Sequence, residues 1–446
     1  MKPVFVISSP FDTYSGYGAR SRDLIKAIIA TDKYNVKLIS QKWGSTPFGF
    51  CEDHPEEFSS FLDLVIPLPL TQQPDIWMQI TVPNEFQPVG KYNIGMTAGM
   101  ETTLVDGNWV EGMNRMDINF VSSEHSKKAF LNSIYEKRDS KGNVIEGNIQ
   151  IEKPIEVLFE GIDLNTYFFT KVNPNLDINL SLDSIKESFA YLFVGHWMQG
   201  KMGEDRKNVG LLVKAFLETF KNKNIKPALI LKTSQVGASY MDRDEILRKI
   251  QTIKDSVNSK NLPNIYLLHG EFTNEEMNSI YNHSKVKAMI SLTKGEGFGR
   301  PLLEFTQSKK PLIVSGWSGH MDFINPEHTT CLNGKLTNVD STAVVPNMIL
   351  AESQWFSPDH SQIGHYLKDM FENYKNYTEG AKRQAYHSKT NFSWDKMKEN
   401  LESKLDEIIP EFPKQIELKL PKLDLPQLNT PQLPKLNLPK LEKNEG

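Results

Sequence analysis

The sequence predicts an α/β protein of two doubly wound, Rossmann-like domains facing each other across a cleft. Three observations carry this. Short apolar runs alternate with helix-period stretches, the pattern of a parallel sheet with crossover helices. The alternation breaks at a polar stretch, residues 173–187, and then restarts over a similar length. The chain has 446 residues, more than the roughly 250–300 at which a single core stops growing.

In the first half the predicted strands are residues 4–8, 36–40, 64–66, 76–80, 93–96, 118–121 and 156–159. A helix is predicted over 19–29, where Leu24, Ala27 and Ile28 recur at helical spacing. Residues 138–151 are rich in turn formers and read as an exposed hairpin or loop. In the second half the predicted strands are 190–194, 228–231, 265–268, 287–291 and 311–314, with helices over 209–220, 244–257 and 274–283. The expected organisation is an N-terminal domain over 1–172, a linker over 173–187, a second domain over 188–390 and a last helix over 391–410. That helix is expected to cross back to the first domain, packing through Met397, Leu401, Leu405 and Ile408. Residues 411–446 change character: Pro421, Pro426, Pro431, Pro434 and Pro439 recur among leucines and lysines. Proline removes amide donors and restricts the residue before it, so a polyproline-like or disordered tail is expected, acting as a tether, a docking peptide or a spacer.

Composition narrows the function. A net charge of −4 argues against long nucleic acid as the main partner. Cys51 and Cys331 form neither a disulfide framework nor a zinc spacing and fit a reduced compartment. The opening apolar run is too short for a signal segment, and no run of 18 apolar residues occurs. The expected location is the cytoplasm, with peripheral contact to a membrane left open.

Chemistry concentrates in Lys294-Gly295-Glu296-Gly297-Phe298-Gly299-Arg300-Pro301, which runs on through Leu302 and Leu303 to Glu304. The stretch follows a predicted strand and opens a helix. Gly297 and Gly299 let backbone approach a ligand, and Pro301 suits a helix start. Free amides at such a start attract an anion, and a diphosphate fits. Two glutamates at this spacing are ordinarily just solvated; the glycines, the proline and the strand-to-helix context set this pair apart.

At these residues the chain resembles glycosyltransferase family 4, the retaining transferases of the GT-B fold (glycosyl transferases group 1), whose setting is E-G-F-G-x-P-x-x-E. The resemblance extends to Phe193-Val194-Gly195 followed by Arg206-Lys207-Asn208-Val209, and to Val157 through Asp163 with Phe168. Asp117 through Ser123, and Pro311 through Val314 with Trp317-Ser318-Gly319, are similar too, as is Phe392-Ser393-Trp394-Asp395. Together they span residues 1 to about 408. The resemblance implies a hexosyl-type glycosyltransferase that takes a nucleotide-sugar donor and acts on a glycan, lipid-linked or protein acceptor. It implies that Glu296 contacts the donor sugar, Glu304 the ribose, and Lys207 the diphosphate. No metal cofactor is expected, since no DxD-like site appears and fixed cations can stabilise the departing phosphate. His196 stands where the family commonly has Arg, and Arg206 is the candidate second cation. Gly16 and Gly18 resemble the family's glycine-rich first loop beside the donor. Glu101 is a candidate to orient or deprotonate the acceptor, against the plain reading of a loop carboxylate. His125 and His320 are weaker candidates, with His320 nearer the expected donor pocket. Two other readings stay open: a glycosyltransferase of modified DNA bases, which needs a basic channel and room for an extruded base, and a sugar-nucleotide or glycan binder without turnover.

Overall fold

A computed structural model describes residues 2–172, 175–235 and 238–412. Residues 413–446, most of the predicted tail, lie outside the described residues.

The first half holds strands β1 (Val4–Ser9), β2 (Asn35–Ser40), β3 (Ile76–Ile80), β4 (Tyr92–Met96), β5 (Ile118–Val121), β6 (Tyr135–Arg138), β7 (Val144–Ile149) and β8 (Ile155–Val157). Six of them form a sheet in the order β2-β1-β3-β4-β5-β8, and every pairing in it is parallel. β6 and β7 make the antiparallel hairpin expected around residues 138–151. The second half holds β9 (Ala190–Val194), β10 (Ala228–Lys232), β11 (Ile265–Leu268), β12 (Val286–Ser291), β13 (Leu312–Ser315) and β14 (Thr330–Leu332), ordered β11-β10-β9-β12-β13-β14 and again parallel.

Both faces of these sheets are covered, so their strands read as continuous apolar runs. All five residues of β3 are buried. In the second sheet the pleat deals alternate side chains to two cores. Tyr191, Phe193, Leu229, Leu231 and Ile290 pack with the helix Val209–Phe220. Leu192, Ile230, Met289 and Val314 pack with Ile280, Leu303 and Phe305 on the other face.

The last helix, Trp394–Ile408, buries Met397, Leu401 and Leu405. Ion pairs from Lys404 to Glu156 (2.6 Å) and from Lys33 to Glu402 (2.9 Å) and Asp406 (2.7 Å) hold it on the first domain.

Besides β14, for which no strand is predicted, three segments differ from expectation. Residues 64–66 make no strand: Leu38 donates to Leu64 and accepts from Ile66, a single bridge at the open edge of β2. The stretch 173–187 contains a helix, Leu176–Asp183, whose Ile178 and Leu182, four apart, reach the core of the second domain. Residues 334–358, for which no element is predicted, form an antiparallel pair, β15 (Gly334–Asn338) and β16 (Gln354–Pro358), with Trp355 fully buried beneath it.

Candidate active site

Both sheets reverse direction of growth beside their first strand, at β1/β3 and at β9/β12. Ligands of open α/β sheets bind outside the carboxyl ends at such points. The three glycine-bearing loops all leave there: Ser15-Gly16-Tyr17-Gly18 after β1, Gly195 after β9, and residues 294–299 after β12.

Ser15 caps the helix Gly16–Ala30 by accepting from the Gly18 amide. A side chain at Gly18 would press on the Pro10 carbonyl at 3.0 Å and on Thr13, so the tight turn demands glycine; Gly16 faces open space. The loop after β12 lies directly on the first domain. A Cβ at Gly297 would lie 2.6 Å from the Ala98 carbonyl, and one at Gly295 would strike the Glu101 carbonyl. Ser123 donates to the Gly297 carbonyl at 2.6 Å, and Asp322 accepts from the Glu124 amide at 2.8 Å. Gly299, at φ +96°, turns the loop into the helix Arg300–Thr306.

These loops bring four of the predicted residues together. Lys207 Nζ pairs with Glu296 Oε1. Arg206 Nη1 stands 3.7 Å from Glu296 Oε2 and 3.3 Å from Glu101 Oε1, joining the two domains. Burial pushes the Glu296 carboxyl up, but Lys207 and Arg206 outweigh it and hold it below the usual range. Burial alone would lower Arg206; Glu101 and Glu296 reverse this. Lys207 stays below its usual value because burial, with the nearby Arg206, exceeds the pull of Glu296. The Glu296 amide donates to Ser318 Oγ at 2.9 Å, and the Gly319 amide donates to the Glu296 carbonyl at 2.9 Å. The loop is thus fixed from both sides.

Glu304 lies apart from this cluster. It accepts from Arg300 Nε at 3.0 Å and from the Tyr281 hydroxyl at 3.3 Å, and burial raises its pKa against the opposing pull of Arg300. Arg300 reaches across to Asp23 of the first domain at 2.7 Å. A cavity of about 330 Å3 opens beside Arg300 and Asp23, walled by Tyr167 and by Glu271, Phe272 and Thr273 after β11.

His196 bonds Ser234 Oγ at 3.2 Å and keeps solvent access; desolvation, then Lys207, Lys232 and Arg206, keep it below its usual pKa. Phe298 is buried against Phe323, ring centres 5.1 Å apart, so its side chain packs in the core while its backbone continues the loop. His320 is buried, with Nε2 against the Ser315 carbonyl at 2.7 Å. His125 packs edge-on against Trp317 of the second domain at 4.5 Å, and its Nε2 has no partner.

Sequence reasoning missed Asp23, Arg300 and Tyr281 around Glu304, and Glu160 and Trp43 on the first domain. A charged residue in place x of the E-G-F-G-x-P stretch was the available signal for Arg300. Nothing local marks the others, which meet only through the fold. Among the described residues no cluster of three or more His, Cys, Asp or Glu has metal-holding geometry, and no helix is long and apolar enough to cross a membrane.

No family model matches the chain, and no curated protein matches it. Solved structures do. A glycosyltransferase from Rickettsia africae ESF-5 superposes with a TM-score of 0.58 at 14% identity, covering 91% of this chain and 98% of that one. Sucrose-phosphate synthase from Thermosynechococcus elongatus gives 0.57 at 11%, covering 91% and 99%. Anabaena HepE in complex with UDP and glucose gives 0.55 at 11%, covering 91% and 100%. At such identities the likeness is one of fold, and the fold is GT-B: two Rossmann-like domains with parallel sheets.

Proposed function

We propose that this protein is a retaining glycosyltransferase of the family 4 type that moves a hexosyl unit from a nucleotide-sugar to an acceptor hydroxyl without a metal ion. In the transfer, the bond between the anomeric carbon and the phosphate oxygen breaks, and its electron pair stays on the diphosphate. The acceptor oxygen bonds to the same face of that carbon, and its proton passes to the departing phosphate oxygen. Charge therefore grows on phosphate as the reaction proceeds. Lys207 and Arg206, held in place by Glu296 and Glu101, are cations aimed where it grows. Fixed charges in a dry site stabilise that transition state without reorganising. Glu296 accepts from donor hydroxyls, Glu304 from the ribose, and the amides of residues 297–299 approach the diphosphate.

The observation that carries this reading is the cluster of half-buried Arg206, Lys207 and Glu101 around the buried Glu296, at the carboxyl ends of the strands, where the two domains meet. The solved neighbour from Anabaena binds UDP and glucose, and UDP is the first nucleotide to try. The test is a thermal-shift screen against nucleoside diphosphates and their sugars, since a ligand specific to the folded state raises the melting point. A rise of several degrees with one nucleotide, lost in Glu304→Ala, is the expected result. No rise with any of them removes the proposal.

A further inference from the structure

A second cavity, about 140 Å3, adjoins the glycine loop on its first-domain side. Tyr17, Trp43, Glu101, Trp109, Glu160 and Met348 wall it, and the backbone of Gly297 and Phe298 forms its floor. Three features distinguish it from packing space. The indole of Trp43 lies stacked on Tyr17, ring centres 3.9 Å apart and planes at 24°. Tyr17 is itself fixed, since its hydroxyl bonds Thr97 Oγ1 at 2.8 Å and accepts from the Ala98 amide at 3.1 Å. Two carboxyl groups face the same space. Glu101 is held by Arg206. Glu160 is buried and accepts a long hydrogen bond, 3.4 Å, from Ser122 Oγ.

A rigid aromatic wall beside acceptor-only oxygens suits a ligand with one apolar C–H face and hydroxyls on its rim. A lipid tail would set hydrocarbon against the buried Glu160 carboxyl, which is costly. We infer that this cavity takes the acceptor, and that the acceptor end is a saccharide ring lying along Trp43, with Glu160 and Glu101 accepting hydrogen bonds from its hydroxyls. The inference rests on the transferase reading only for the word acceptor; the saccharide site stands on its own geometry. Met348 comes from the segment between β15 and β16. That segment is tied to the first domain where Thr103 and Gln354 exchange hydrogen bonds of 2.9 Å. The second domain therefore supplies the outer wall of a site whose stacking surface belongs to the first.

The test is saturation-transfer NMR on the full chain, with UDP present, using methyl α-D-glucopyranoside and methyl α-D-mannopyranoside as probes and glycerol and a serine tripeptide as comparisons. The expected result is binding of at least one hexoside in preference to glycerol and the tripeptide. Trp43→Ala should weaken it on the order of tenfold, Trp43→Phe much less because a ring face remains, and Glu160→Gln should weaken it with the ring contact kept. UDP binding, measured on the same samples by melting point, reports the donor side separately. A protein that binds UDP but neither hexoside, or binds a hexoside indifferently to Trp43→Ala, overturns the saccharide site and leaves the transferase reading intact. A protein that binds hexosides through Trp43 but no nucleotide sustains the site and removes the transferase reading.

Discussion

The sharpest consequence of the geometry concerns Gly295. Its loop leaves the second domain and rests on the first. An added Cβ would lie 2.7 Å from the Glu101 carbonyl carbon and closer still to its oxygen, whereas ordinary contact starts at 3.4 Å. The obstacle is backbone, which cannot swing away as a side-chain tip can. Gly295→Ala must therefore part the two loops by more than 0.7 Å, the shortfall at the carbonyl carbon alone, since the nearer oxygen requires more. Arg206 bridges Glu101 and Glu296 across that seam, so the same displacement separates the acceptor side from the cations. A misplacement near 1 Å costs on the order of a hundredfold in rate when reacting groups are held by the protein. The nucleotide contacts proposed for Lys207 and Glu304 lie within the second domain. Gly295→Ala should accordingly lower release of UDP from UDP-glucose, or of the diphosphate from whichever donor the wild type cleaves, by roughly a hundredfold. Its affinity for the free diphosphate should change by no more than a few fold. Small-angle scattering should show a slightly larger particle. Gly147→Ala, whose nearest neighbour would be Val144 at 3.9 Å, is the control and should match wild type. Unchanged turnover in Gly295→Ala would refute the claim that loop contact between domains sets the catalytic geometry.

Other expectations follow from the same contacts. Lys207→Ala should reduce turnover by about 10²–10³-fold and also lower the melting point, because Glu296 is left buried with a weaker partner; adding Glu296→Gln should recover part of the stability and none of the turnover. His125 has its pKa lowered from 6.5 to about 4, first by desolvation and then by His320. The unfolded chain therefore binds the proton first, and stability should fall as pH drops from about 6.5 to about 4, by no more than about 3 kcal/mol. In urea titrations His125→Phe should lose that part of the acid sensitivity; an identical pH profile in the variant would contradict it. A Cβ at Gly161 would lie 2.9 Å from the Ser393 carbonyl and press on Trp394, where the chain enters the last helix. Gly161→Ala should cost about 1–3 kcal/mol in denaturant unfolding.

Much of this architecture is legible in the sequence, and the reasons differ by element. Strands such as Ile76–Ile80 announce themselves because both faces are covered and four of the five residues are apolar. The stretch 294–304 is legible because glycine and proline have few uses other than backbone ones. The pair β15–β16 escapes because its first strand is largely exposed and polar and the apolar signal of the second is confined to Trp355 and Phe356, flanked by Gln354 and Ser357. The helix Leu176–Asp183 escapes because its apolar residues Leu176, Ile178, Leu180 and Leu182 alternate with polar ones, a strand-like period rather than a helical one. Glu160 and Trp43 carry no local mark: they are 117 positions apart in number and meet only once the first sheet is assembled. The partners of a charge are equally hidden, as with Arg300, which answers both Glu304 four residues on and Asp23 in the other domain.

A crystal structure with bound UDP tests the central claim most directly. The account places the β-phosphate within about 3 Å of Lys207 Nζ, beside the amides of residues 297–299, with the ribose on Glu304. A nucleotide bound elsewhere, with Lys207 still paired to Glu296 and the glycine loop untouched, would contradict it.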